Sequence, residues 1–175
     1  FYEEFLKQYD AAQKVERGVF YTPDPVVSFI VRSVDEILKK EFGLKDGLAD
    51  TSTVKVQQTT PKKTGGGMKT INKEVPKVQI LDPAVGTGTF LKYTIENIKK
   101  TFYENNKHIS KAERKEKWNK YVENDLLSRL YGFELMMAPY AICHLKLGLT
   151  LAETGYNFEG NKRLGVYLAN TLEGN

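Results

Sequence analysis

The chain has 175 residues, 41% of them hydrophobic, and 26 basic against 22 acidic side chains for a net charge of +4. That length suits one domain with a core of its own; with a mean hydropathy of −0.45 and no apolar run near the ~18 residues that span a bilayer, a membrane protein is excluded. Cys143 is the single cysteine and there are two histidines, so an internal disulfide is impossible, a zinc site is not credible, and a reducing, cytoplasmic setting is expected.

Residues 1–16 read as a helix with an apolar side at Phe5, Leu6 and Tyr9. Its acidic start, Phe1-Tyr2-Glu3-Glu4-Phe5-Leu6, is not a signal peptide, and a start without methionine leads us to expect a piece of a longer polypeptide. An extended block follows, Arg17-Gly18-Val19-Phe20-Tyr21-Thr22-Pro23-Asp24-Pro25. Asp24 suits an N-cap and Pro25 the first helical position. The helix beyond carries Val27, Ile30, Val31, Val34, Ile37 and Leu38 at helical spacing, which predicts that most of them are core.

Residues 51–77 change character. Thr53-Val54-Lys55-Val56-Gln57 alternates as a strand does, Pro61 to Gly67 is a lysine- and glycine-rich turn, and a second strand is expected from Thr70 to Val75. The segment reads as a β-hairpin inserted ahead of the main sheet. Residues 53–79 carry six lysines against Glu74 alone, and residues 92–123 carry nine basic against five acidic side chains. Such uneven charge fits a nucleic-acid surface, and equally a solvated loop and helix.

Val78-Gln79-Ile80-Leu81-Asp82-Pro83-Ala84-Val85-Gly86-Thr87-Gly88-Thr89-Phe90-Leu91 reads as a buried strand over 78–82, a glycine turn and a helix start. Glycines at 86 and 88 permit a sharp turn and close approach to a ligand, at the carboxyl end of a strand where α/β domains hold nucleotides. A dinucleotide fingerprint needs a third glycine at position 91, where this chain has Leu91. Asp82 before the turn disfavours a diphosphate and suits an ammonium. The helix from about Thr89 to Tyr103 has Leu91, Ile95, Ile98 and Phe102 on one face. A polar, basic helix follows near 110–124; Tyr103, Trp118 and Tyr121 there are either base-stacking groups or part of an ordinary half-buried helix.

Leu130-Tyr131-Gly132-Phe133-Glu134 is a second strand. Pro139 is expected to open a helix with Ile142, Leu145 and Leu149 on its apolar face. Met136, Met137 and Cys143 read as packing, and His144 as a core or surface histidine. Gly165 to Asn170 is a third strand. Strands alternating with helices imply a parallel sheet covered on both faces. The three strand ends, Asp82, Glu134 and Asn170, should converge. Glu134 can accept from two ribose hydroxyls, and Asn170 can both accept from and donate to an adenine edge. The combination points to an adenosine-containing ligand with a cationic tail. Other roles stay open: Asp82 as a helix cap, Glu134 as a strand-end acid, Asn170 as a turn residue.

These blocks resemble the N-terminal, cofactor-binding half of an N6-adenine DNA methyltransferase domain, as found in large single-polypeptide restriction–modification enzymes. Arg17 to Pro23 looks like the block that closes over the methionine end of the cofactor, and Asp82 to Leu91 like the S-adenosylmethionine loop. Tyr131 to Glu134 looks like the ribose-binding strand, and Val166 to Glu173 like the adenine strand. The resemblance implies a truncated Rossmann-like α/β methyltransferase fold. It comprises N-terminal helices with the Tyr-Thr-Pro block (1–45), the inserted hairpin (51–77) and the cofactor-binding core (78–175). It implies S-adenosylmethionine as cofactor. The binding residues it implies are Tyr21, Thr22, Pro23, Asp82, Ala84, Gly86, Thr87, Gly88, Thr89, Phe90, Glu134, Leu135, Asn170 and Thr171. Within that set, Thr22 and Asp82 would hold the methionine part.

Many relatives have Asp where this chain has Asn170. The family's Asn/Asp-Pro-Pro-Tyr/Phe motif, which holds the flipped target base, has no counterpart, for the chain contains no Pro-Pro. No catalytic residue or metal ligand is therefore assigned, and the chain by itself is expected not to transfer methyl groups. Implied partners are duplex DNA, the rest of the methyltransferase and a nuclease or translocase region of the same polypeptide. Alternatives are a methyltransferase for RNA or protein glutamine, and a non-catalytic cofactor or DNA-docking module; an oxidoreductase is disfavoured by Leu91.

Overall fold

The structure is a computed structural model that describes residues 22–61 and 66–171. The expected helix over 1–16, the block from Arg17 to Tyr21, the hairpin tip at 62–65 and residues 172–173 lie outside the described residues. Helix α1 (Asp24–Lys40) opens beneath Pro23, whose carbonyl accepts from the N–H groups of Val26 (2.9 Å) and Val27 (3.1 Å). The cap is thus Pro23 and not Asp24; Asp24 lies in the first turn, where its charge suits the helix dipole, and Pro25 loses nothing by lacking an N–H. The apolar stripe of α1 is only partly core. Val27 and Val31 are buried, whereas Ile30, Val34 and Ile37 are 40–50% exposed. Ile30 and Val34 face a groove along an edge of the main sheet that is unpaired among the described residues, so helical spacing alone overcounts the core.

Strands β1 (Thr53–Pro61) and β2 (Met68–Pro76) form an antiparallel ribbon, in register from Thr53↔Pro76 to Pro61↔Met68. The ribbon is largely exposed. Its ladder is extended at the base by the Lys77 N–H donating to the Ser52 carbonyl (2.9 Å). It springs from the residues just before β3 (Ile80–Asp82), hence from the amino end of the main sheet.

The main sheet is parallel, in the order β3-β4-β5, with β4 at Leu130–Glu134 and β5 at Gly165–Leu168. β3 is shorter than the expected 78–82 strand. β5 stops two residues short of the expected end, which leaves Asn170 in the segment that follows. β3 pairs only with β4, so its other edge is open among the described residues. An apolar groove of about 470 Å³, lined by Ile30, Val34, Leu38, Val78, Ile80 and Phe90 among others, runs along that edge.

Helix α2 (Thr89–Asn105) buries Leu91, Ile95 and Ile98 as its spacing predicts, and Phe102 packs against the core. Helix α3 (Lys111–Asn124) is capped by Ser110, whose hydroxyl accepts from the Glu113 N–H at 3.2 Å, within a Ser-x-x-Glu pattern. Trp118, Tyr121 and Phe102 form an aromatic cluster; Trp118 is fully buried, stacks on Tyr121 at 5.6 Å and donates from Nε1 to Thr154 Oγ1 (2.9 Å). Base stacking by Trp118 or Tyr121 is thereby excluded: their rings hold α3 to α2.

Helix α4 starts at Met137 and runs to Glu153, with Pro139 in its first turn rather than at its opening. It buries Cys143, Leu147, Thr150 and Leu151, while Leu145 and Leu149, expected on the packed face, are exposed. This helix is apolar on most sides, so its periodicity could not select the buried one. Met137 is likewise exposed, whereas Cys143 packs in the core. Half-buried His144 places Nε2 3.2 Å from the Val166 carbonyl and sets its ring edge-on to Tyr140. The result is a mixed α/β unit with a parallel three-stranded sheet, a truncated Rossmann-like arrangement.

Candidate cofactor site

The glycine turn crosses the carboxyl ends of β3 and β4. The Val85 N–H donates to the Phe133 carbonyl (2.9 Å), and the Gly88 N–H to the Val85 carbonyl (2.9 Å), which folds the turn back on itself. Gly86 and Gly88 have φ of +54° and +83°, a region other residues enter at a cost. Among the described residues no atom lies within 4 Å of the place a Cβ on Gly86 would take, whereas a Cβ on Gly88 would stand 2.7 Å from Cys143 Sγ. Gly86 thus faces space open among the described residues, and Gly88 seats the turn on α4. Leu91, in the place of a third fingerprint glycine, is buried in the core.

Glu134 is 8% exposed, and both of its carboxylate oxygens bind backbone. Oε2 accepts from the Gly86 N–H (2.9 Å) and Oε1 from the Met136 N–H (2.8 Å). It therefore clamps the glycine turn to the β4–α4 connection. A carboxylate offers about four acceptor positions, so each oxygen keeps capacity for a hydroxyl. Asp82 Oδ1 accepts from the Ala84 N–H at 3.1 Å, an Asx turn. It does not cap α2, whose N-cap position is Gly88 with no side-chain cap. Burial raises the Asp82 pKa above the ordinary carboxylate value; the Ala84 N–H opposes this and the nearby Glu134 charge adds to it. Two acids thus stand by a helix start whose N-cap, Gly88, supplies no side-chain cap to the first N–H groups.

The remaining sequence-derived residues join this crevice to different degrees. The Ala169 N–H donates to the Glu134 carbonyl (2.9 Å), and Thr171 Oγ1 donates to the Pro83 carbonyl (3.3 Å). Asn170, between them, is therefore brought to the strand ends. Burial, and after it the Asp24 charge, raises the Tyr93 pKa; Thr22 and Pro23 directly precede Asp24 at the start of α1. Leu135 is 63% exposed beside Glu134. Phe90 turns into the apolar groove along β3, and that groove shares only Asp82 and Phe90 with the implied binding set. Tyr21 lies outside the described residues.

Sequence reasoning missed Lys146; Cys143 it read as packing, as found. Both rise from α4 beneath the turn, and Lys146 Nζ donates to Thr87 Oγ1 (2.9 Å) and Thr89 Oγ1 (3.2 Å). Their spacing with Leu147 marks one helix face, but nothing in the sequence says that this face meets residues 86–89. Burial pushes the Cys143 thiol up to about 12, with Lys146 pulling the other way and Asp82 and Glu134 adding to the rise.

The family model described as N-6 DNA methylase matches residues 1–174. The chain belongs to that family. Among curated proteins none matches this methylase chain. Solved structures do. It is 27% identical to a nuclease-deletion mutant of the Type ISP restriction-modification enzyme LlaGI in complex with a DNA substrate mimic (TM-score 0.58, covering 95% of this chain and 11% of that one). It is 29% identical to the ATP-dependent Type ISP enzyme LlaBIII bound to DNA (TM-score 0.53, 86% and 8%). It is also 27% identical to DrdV in a DrdV–DNA complex (TM-score 0.58, 98% and 12%). The methylase chain spans about a tenth of the length of these relatives. Among the described residues no helix is long and apolar enough to cross a membrane, and no cluster of His, Cys, Asp and Glu could hold a metal ion.

Proposed function

We propose that this chain is the S-adenosylmethionine-binding part of a DNA methyltransferase that modifies adenine at N6, within a restriction–modification polypeptide. One observation carries the reading: two acids, Asp82 and Glu134, flank a glycine turn that faces open space at Gly86 beside an uncapped helix start. S-adenosylmethionine matches that set. Its ammonium meets Asp82, its carboxylate the first N–H groups of α2, its ribose hydroxyls the spare acceptor capacity of Glu134, and its adenine Asn170. Tyr21, Thr22 and Pro23 close the methionine end; Ala84, Thr87, Thr89, Phe90, Leu135 and Thr171 shape the walls.

Bound there, S-adenosylmethionine supplies an electrophilic methyl group. This chain's part is to fix its orientation and exclude water, so that catalysis is mainly positioning, without a covalent enzyme intermediate. The groups that receive the target amine lie elsewhere in the polypeptide, and duplex DNA is the substrate of the whole. A nuclease region in the same polypeptide fits the Type ISP relative that was solved as a nuclease-deletion mutant, and a translocase is the further region this reading expects. The divisions 1–45, 51–77 and 78–175 remain part of this reading.

Calorimetric titration of the polypeptide with S-adenosylmethionine tests it, with NADH as control and Glu134→Ala beside it. Binding of S-adenosylmethionine but not NADH, weakened at least about ten-fold in Glu134→Ala by loss of charged hydrogen bonds, is expected. Binding of NADH instead, or of neither ligand, refutes the reading.

A further inference from the structure

The glycine turn is held from two sides, and only one of them, Glu134, belongs to the strand ends. The other is α4. Gly88 rests on Cys143 and Leu147, and the Lys146 ammonium reaches past them to Thr87 and Thr89, the two residues flanking Gly88. A lysine donates and never accepts, so both hydroxyls must accept from it. One half-buried cation therefore ties the turn to the first residue of α2. Lys146, Asp82 and Glu134 are the charged groups that act on the buried Cys143 thiol, the lysine against the rise caused by burial and the two acids with it.

We propose that Lys146 is a positioning residue for cofactor binding: through the hydroxyls of Thr87 and Thr89 it sets the part of the turn that receives the amino-acid end of S-adenosylmethionine. This rests on the cofactor assignment above. Simple charge attraction makes the opposite prediction for the sulfonium. Removing Lys146 leaves the crevice more negative, which by itself tightens a cationic ligand relative to a neutral one.

The test uses the full-length polypeptide and three probes: S-adenosylmethionine, S-adenosylhomocysteine, and 5′-methylthioadenosine, which lacks the amino-acid end. In Lys146→Met both tail-bearing ligands are expected to weaken about ten-fold, the scale of one lost charged hydrogen bond. The tailless nucleoside should change less than about two-fold on the same scale. Thr87→Val, which leaves the lysine in place, should reproduce the pattern and carries the test if Lys146→Met does not fold. Combined, the two changes should cost little beyond the larger one.

Equal weakening of all three ligands would make Lys146 a general support of the fold and overturn the proposal. So would unchanged affinities, or tightening of S-adenosylmethionine alone. If the wild type binds none of the three, the cofactor reading itself fails; binding by the wild type with any of the other adverse patterns removes only the role of Lys146.

Discussion

Replacing Gly88 by alanine separates two demands that meet at one atom. At φ +83° an alanine pays for a left-handed backbone, about 1–2 kcal/mol. Its Cβ would also stand 2.7 Å from Cys143 Sγ and 3.5 Å from Leu147, and overfilling a packed contact of this kind costs about 1–3 kcal/mol. Together Gly88→Ala should destabilise by about 2–5 kcal/mol, or lower Tm by roughly 5–15 °C in a domain of this size. Cys143→Ala alone removes one buried sulfur, at about 1 kcal/mol. The double variant places the new methyl where the sulfur was. Only the backbone strain and the lost sulfur contacts should then remain, so the pair should recover about 1–3 kcal/mol relative to the sum of the single changes. Denaturant unfolding of all four proteins measures this. Additivity within about 0.5 kcal/mol would mean that the turn does not rest on α4, and the account of Gly88 would be wrong.

Other outcomes follow from the same geometry. The Asp82 pKa is raised in the fold, chiefly by burial, so the folded state holds its proton more tightly than the unfolded chain. Its contribution favours folding at low pH and is lost as pH climbs through the raised value. Asp82→Asn should therefore raise the ligand-free Tm at pH 7 and leave it unchanged near pH 3, while weakening S-adenosylmethionine about ten-fold; a lower Tm at pH 7 would contradict this. With its thiol pushed up to about 12, Cys143 has on the order of one thiolate in ten thousand at pH 8. A disulfide reagent should label it only after denaturation, and prompt labelling of the native chain would count against its burial. Trp118→Phe removes the Nε1 bond to Thr154 and should cost about 1–3 kcal/mol by thermal unfolding, with cofactor affinity unchanged. A matching loss of affinity would mean that α3 supports the cofactor site and would contradict its purely structural role.

Much was legible in the residue order because the signals are local. The glycine turn, the strand over Leu130–Glu134, the helix from Thr89 and the polar helix near 110–124 each depend on neighbours within a few positions. The hairpin over Thr53–Pro76 was legible from alternation and a glycine-rich tip. Asp82 and Glu134 could be placed at strand ends because parallel strands point their carboxyl ends the same way. What the sequence could not carry was which surfaces meet. Ile30 and Val34 are spaced like core residues but border the edge of β3 that is open among the described residues, and Ile37 is half exposed. Leu145 and Leu149 lose the buried face of α4 to Cys143 and Leu147, since an all-round apolar helix has no preferred side until it docks. Trp118 and Tyr121 stand in a basic stretch that reads as a nucleic-acid surface, yet they bury their rings against Phe102. The lysine-rich ribbon springs from the end of the sheet opposite the glycine turn. Lys146 is invisible from sequence for the same reason: its partners Thr87 and Thr89 lie more than fifty positions away, and only the docking of α4 under the turn brings them together. Local chemistry determined where the glycine turn forms; long-range packing decided what holds it still.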